Sequence, residues 1–326
     1  MNIKAILEAL AVGDAMGMPT EFMTQEDIDA VFPPITTLPD PKLSYTHNDL
    51  PYASVTDDTE QNLYLARAYV DAGGITIERS ADALSRWIVE CDAVAKKYIG
   101  PSSLKALNAI RDGADVMEAG KGGTTNGGIM RTPALVLCAG SCGEEELLTA
   151  IRYGCIPTHH TSQAIEAAAG YGFALRAAME GKSVKEILTA AKYGAEKGLH
   201  STDWVSAAPT CSYRLDVLEK ALAADPDPEK LRRDLYYLYG TGLDSVDVFA
   251  AALSIFLLKK EDVFGAICLA ASLGGDTDTI GALVGALCAA YAGGHNIPES
   301  VLGPVLAQNQ LDLDALSAAI KTTFWK

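Results

Sequence analysis

An all-α fold, many helices around one core, is the class this sequence predicts. Apolar residues recur at helical spacing along most of its 326 positions, no stretch alternates convincingly with period two, and helix-start signals punctuate the chain. The length would accommodate two average domains or one large one, and by itself decides neither.

The first element covers residues 2 to about 17, with Ile3, Ile6, Leu7, Leu10 and Ala11 at helical spacing, and Pro19 stops or kinks it. Glu21 then falls in a loop. From Met23 to Tyr52, five prolines and almost no periodicity predict a long loop, more often a site-covering element than a passive connector. Tyr45, His47 and Tyr52 either line an entrance there or pack on the body. Thr56-Asp57-Asp58-Thr59 opens the next helix, which continues through Leu63 and Val70. Helices are expected at about 77–95 and 101–119, then a Gly-rich loop from Gly120 to Gly128 and an apolar helix from Ile129 to Ala139. Ser141-x-x-Glu144 and Ser183-x-x-Glu186 read as capping boxes, and Asp227-Pro228 as a further helix start. Thr158-His159-His160-Thr161-Ser162 stands at the mouth of a helix from about Gln163 to Met179. Apolar helices at 245–258 and 262–273 precede Gly274-Gly275-Asp276-Thr277-Asp278-Thr279, and the run Ile280 to Ala292 after it has the composition of a buried helix. Short helices follow Pro298 and Asp312.

With 49% hydrophobic and 21% charged residues the composition is globular, and a formal net charge of −16 repels phosphate polymers. Nucleic acid and anionic membrane surfaces are therefore poor partners, whereas a small anion can still bind where a cation or backbone amides reverse the local field. Seven cysteines, odd in number and without a C-x-x-C, read as reduced core thiols and imply a cytoplasmic protein. No stretch is long and apolar enough for a membrane span, and the N-terminus lacks the basic region of a signal peptide.

Two acidic turns carry the chemistry. In Gly274 to Thr279, two glycines permit unusual backbone angles while two carboxylates and two hydroxyls gather at the positive end of a helix. Asp276 and Asp278 are about 200° apart on an ideal helix, so they converge on one point only if the turn is irregular. Such a turn is either an acidic cap or half of a site for a hard cation, magnesium, manganese or calcium rather than zinc. Thr56 to Thr59 repeats the pattern, and the repetition favours the cation. The loop Gly120 to Gly128 is either a tight turn or a cradle of backbone N–H groups for an anion. The His159-His160 pair reads first as a capping or hydrogen-bonding feature.

Taken in order, Gly13-Asp14-x-x-Gly17-x-x-x-Glu21, Thr56-Asp57-Asp58-Thr59, Asn126-Gly127-Gly128-Ile129-Met130-Arg131, Thr158-His159 and Gly274-Gly275-Asp276-Thr277-Asp278-Thr279 resemble the ADP-ribosylglycohydrolase family over residues 3 to about 294. The resemblance implies one compact orthogonal bundle domain, 1–326, with a di-metal cleft. It implies two divalent cations, Mg2+ or Mn2+, held by Thr56, Asp57, Asp58, Asp276, Asp278 and Thr279. Glu21, Asp57 and Asp276 become the candidate catalytic carboxylates. Asn126, Gly127, Gly128 and His159 become the candidate substrate contacts, with His160 as the competing imidazole, and Tyr239 to Gly242 is assigned to adenine. The implied activity is metal-activated hydrolysis of the bond between a ribose, that of ADP-ribose, and an acceptor such as a modified protein side chain. Its rivals are an N-ribosyl hydrolase acting on a nucleoside or small ribosylated metabolite, and an inactive ADP-ribose-binding homologue.

Overall fold

The computed structural model describes residues 1–325 and is built of eighteen α-helices with short helical turns between them and no β-strand among the described residues. Its contacts group into two compact units, each assembled from discontinuous segments: Met1–Thr59 with Tyr213–Leu313, and Glu60–Ser212 with Asp314–Lys326.

In the first unit the helix Ile3–Gly17 lies antiparallel to the helix Thr277–Ala292, backbone against backbone. A Cβ on Gly13 would stand 2.0 Å from the carbonyl oxygen of Gly281, and one on Gly285 would stand 2.3 Å from that of Ala9. Four glycines at four-residue spacing, Gly13 and Gly17 on one helix and Gly281 and Gly285 on the other, therefore set the approach. Hydroxyls lock the crossing at one end: Thr277 donates to the Gly17 carbonyl at 2.8 Å, and Thr20 to the Ala271 carbonyl at 2.7 Å. Both helices are buried almost throughout, as their apolar compositions require.

The second unit is organised around Ser162–Met179, every residue of which is buried. Val184–Leu199 packs on it through Gly194 and Gly198, each of whose Cβ would lie 2.6 Å from a carbonyl oxygen of the central helix. Trp325 closes the chain by donating its indole N–H to the Leu137 carbonyl at 2.8 Å.

Several boundaries differ from the sequence expectation. The loop from Met23 to Tyr52 contains a helix, Gln25–Val31, capped by Thr24, whose side chain accepts from the Asp27 N–H. Its apolar face, Ile28 with Met23 and Phe32, makes a small core of its own, too short to register as a period. The segment Ile129 to Ala139 is interrupted at Arg131, between helices Gly127–Met130 and Thr132–Ala139. Arg131 is fully buried and donates to the Thr158 hydroxyl at 2.7 Å. The expected helices 77–95 and 101–119 end earlier, the first as Ile77–Glu90 and the second as Pro101–Arg111 followed by the separate turn Val116–Ala119. The Ser183 capping box and the Asp227 cap form as expected; the Ser141 box does not, because the helix starts at Glu144 with Gly143 at the cap position. All seven cysteines are free thiols, four of them buried. No helix is long and apolar enough to cross a membrane.

Candidate metal centre and ligand loop

The helix crossing places Asp14, one residue past Gly13, in full burial. Its carboxylate accepts from the Thr56 and Thr59 N–H groups, both at 3.0 Å, and from their hydroxyls at 2.8 and 2.6 Å. Asp14 thus satisfies the exposed amides that begin the helix Asp57–Ala72, a capping role supplied from a distant segment. On the partner helix the irregular turn is present: Gly274 and Gly275 both adopt φ of +81°, and Asp276 sits at the cap position with φ −89° and ψ 66°. A side chain at Gly275 would meet the Thr241 carbonyl oxygen at 2.2 Å, and that same carbonyl accepts from the Asp276 N–H at 2.7 Å. The stretch Tyr239 to Gly242 therefore abuts this turn.

The two acidic turns, over two hundred residues apart in sequence, interlock. Thr279 donates its hydroxyl to Asp58 at 3.1 Å, and the Thr56 hydroxyl lies 3.4 Å from Asp278. Two trios of buried ligand atoms lie within 4.8 Å of one another: Asp14, Asp58 and Asp278, and Glu21, His47 and Asp278. Asp278 belongs to both. Asp57 and Asp276 are buried alongside but fall outside the two trios, and Thr56 and Thr279 bring hydroxyl oxygens to the same region.

His47 comes from the Pro-rich loop, where the Ser44 hydroxyl accepts its N–H at 3.0 Å and turns the chain inward. Its Nε2 makes a short hydrogen bond to the Glu21 carboxyl. Nδ1 is buried with no hydrogen-bond partner. An unpaired buried lone pair costs less than an unpaired N–H, which assigns the proton to Nε2, donating to Glu21. The neighbouring Thr46 hydroxyl donates to the Glu21 carbonyl at 3.3 Å, so the loop grips Glu21 by side chain and backbone. Tyr45 and Tyr52 of the same loop point outward and are more than half exposed.

Burial and mutual repulsion make the cluster electrostatically costly. Burial first, then the Asp278 charge, pushes Asp14 up to about 7. The same two causes hold Glu21, Asp58 and Asp276 well above the usual carboxylate range. Burial lowers His47 against the pull of Asp278 and Asp14. Carboxylates that cannot all ionise on their own, with oxygen donors in excess of nitrogen, are the donor set that suits a hard divalent cation. The residues present fit such an ion.

The other candidates lie in the second unit. Gly127 and Gly128 open the short helix Gly127–Met130 with Asn126 at its cap position. His159, not His160, packs on them: a Cβ on Gly127 would be 2.4 Å from the His159 ring, which explains the glycine. The Arg131 guanidinium donates to the Thr158 hydroxyl at 2.7 Å, and that hydroxyl lies 2.7 Å from His159 Nδ1. Nε2 stands 2.9 Å from the Thr125 hydroxyl. With Thr158 donating to Nδ1, the ring is neutral and Nε2 carries the proton; burial and the Arg131 charge lower its basicity accordingly. His160 turns away, its Nδ1 bonded to the Met117 carbonyl at 2.9 Å.

Sequence reasoning thus named Glu21, Asp58 and Asp278 but missed Asp14 and His47 as members of the trios. Asp14 left a signal, an acidic residue inside an otherwise apolar helix, which demands a partner. His47 left none, since a lone histidine in a Pro-rich loop carries no period.

The profile of ADP-ribosylglycohydrolase matches residues 2–324. An uncharacterised protein of Escherichia coli K12, YegU, is 32% identical over 332 aligned residues, covering 98% of this chain and 97% of its own. An uncharacterised protein of Archaeoglobus fulgidus is 30% identical, covering 89% and 87% respectively. Among solved structures, a chain of an "ADP-ribosylglycohydrolase-related protein complex" superposes with a TM-score of 0.69 at 26% identity, covering 98% of this chain and 97% of its own.

Proposed function

Because the chain belongs to the ADP-ribosylglycohydrolase family, we propose that it is a divalent-cation-dependent glycohydrolase that cleaves the bond between the ribose of ADP-ribose and an acceptor, such as a modified protein side chain. The observation that carries the reading is the pair of trios sharing Asp278, all buried and within 4.8 Å. Asp14, Asp58 and Asp278, with Thr56 and Thr279, would hold one ion, and Asp278 with Asp276 a second, Mg2+ or Mn2+, leaving Glu21 to carry a proton. A bound cation supplies charge neutralisation and Lewis-acid polarisation of ribose and water oxygens.

The protein groups supply positioning and protons. A glycosidic bond to ribose breaks through an oxocarbenium-like state, and the departing atom needs a proton. Glu21 is the donor, and the His47 imidazole hydrogen-bonded to it orients the carboxyl that gives the proton. Asp57, buried next to the cluster, is the alternative proton carrier. Asn126 and the backbone of Gly127 and Gly128 hold the diphosphate and ribose, and neutral His159, bonded through Nε2 to Thr125, backs the glycines without bringing a charge.

A hydrolysis panel tests the reading: ADP-ribosyl-arginine, ADP-ribosyl-serine and free nucleosides, each with Mg2+, Mn2+ or chelator, with product identification. Release of ADP-ribose that needs the cation supports it. Full activity in chelator sinks the cation; turnover of nucleosides alone transfers the chemistry to a ribosylated small molecule; ADP-ribose binding with no turnover of any substrate makes the protein a binder.

A further inference from the structure

On the second unit a cavity of about 390 Å³ is walled by Met117, Lys121, Arg152, His160, His200 and Trp204. It shares no lining residue with the Asn126 to Gly128 segment, and its most informative group is Arg152. The guanidinium makes no hydrogen bond or ion pair among the described residues, and its Nε is buried without a partner. An arginine cannot shed its proton, so this guanidinium is a permanent positive charge lining the cavity. His160 offers the complement. Since Nδ1 donates to the Met117 carbonyl, Nε2 of the neutral ring keeps a lone pair, and His160 lines the cavity. Lys121, ion-paired with Glu118, lies 3.7 Å from the centroid of the Trp204 ring and fixes that indole at the rim. The opposing charges are Glu118, already held by Lys121, and Asp203, which is exposed and screened.

We propose that this cavity is a binding site for a phosphate group carrying one proton, inorganic phosphate or a phosphomonoester. The planar fork of Arg152 takes two anionic oxygens, and the ligand's P–O–H donates to His160 Nε2. The site is wired to the Gly-rich loop: the His160 N–H donates to the Gly120 carbonyl at 2.9 Å, and the Thr161 hydroxyl to the Gly123 carbonyl at 2.7 Å. The inference is independent of the hydrolase reading, because it needs neither cation nor substrate.

Trp204 is the reporter, being 45% exposed where Trp87 is fully buried. Titrating the full chain with inorganic phosphate at constant ionic strength is expected to give a saturable change in tryptophan fluorescence that is absent in Trp204→Phe. Arg152→Gln is expected to weaken it by about tenfold or more, the loss of a two-pronged charge-assisted contact, and Arg152→Lys by less. Sulfate, which carries no proton at neutral pH, is expected to bind more weakly than phosphate, and His160→Gln to narrow that difference. A circular-dichroism spectrum matching the parent qualifies each variant. No saturable change, a response equal with chloride, or undiminished binding in a folded Arg152→Gln protein overturns the proposal.

Discussion

Replacing Asp278 by Asn tests the electrostatics of the centre with almost no change of shape. The amide keeps an oxygen to accept the Thr279 N–H, now 2.9 Å from the carboxylate. What it removes is a charge facing Asp14, Asp58 and Glu21 within 4.8 Å. At an effective dielectric constant of about 20, each ionised pair at that distance repels by about 3.5 kcal/mol. The neighbours shed part of this by taking up protons, so about one pair's worth remains to be gained. Asp14 fixes the pH of the experiment. Its value, raised to about 7 from 3.8, means the folded protein binds this proton more tightly than the unfolded chain. Its stabilising contribution is full below about 4 and is lost as pH rises through about 7. Repulsion is therefore largest near pH 8. In chelator at that pH, Asp278→Asn is expected to melt about 5 °C above the parent, for an unfolding entropy scaled to 326 residues. With Mn2+ or Mg2+ at about a hundred times its dissociation constant, the parent gains about 2.7 kcal/mol and the variant far less, so most of the gap closes. Scanning calorimetry with and without cation reads both values. A variant that melts below the parent in chelator refutes the claim that the cluster stores repulsion a cation relieves.

Two further outcomes follow from packing inside each unit. Gly281→Ala puts a Cβ 2.4 Å from the Gly13 carbonyl oxygen, where two backbones leave nothing to yield, and is expected to cost about 3 kcal/mol or more by chemical denaturation; Gly294→Ala, in open space, is the control and is expected to cost nothing. Glu166, pushed by burial up to about 7, accepts the Cys211 N–H at 2.7 Å. The folded protein holds this proton more tightly than the unfolded chain, so stability falls between about pH 4.5 and 7; Glu166→Gln keeps the acceptor, and is expected to flatten that fall and gain up to about 3 kcal/mol at pH 8, read from denaturant midpoints across the pH range.

The sequence by itself determined the helical class and the location of both acidic turns, because these depend on neighbours along the chain. Apolar spacing makes a helix, and Gly274-Gly275 permits the irregular turn before Thr277–Ala292. Cap chemistry was legible where the side chain acts on its own segment, as at Ser183 and Asp227, and misleading at Ser141, where a glycine two residues on took the cap position. Only the tertiary structure decided which carboxylates meet. Asp14 meets Asp278 because Gly13 and Gly281 let two helix backbones touch, and no local pattern records a contact across 267 intervening residues. His47 reaches Glu21 because the Pro-rich loop folds inward on Ser44, a path set by packing rather than by period. Position along a helix is written in the sequence at short range, whereas the convergence of charges is a property of the crossing, and the glycines that permit it have no side chain to announce it.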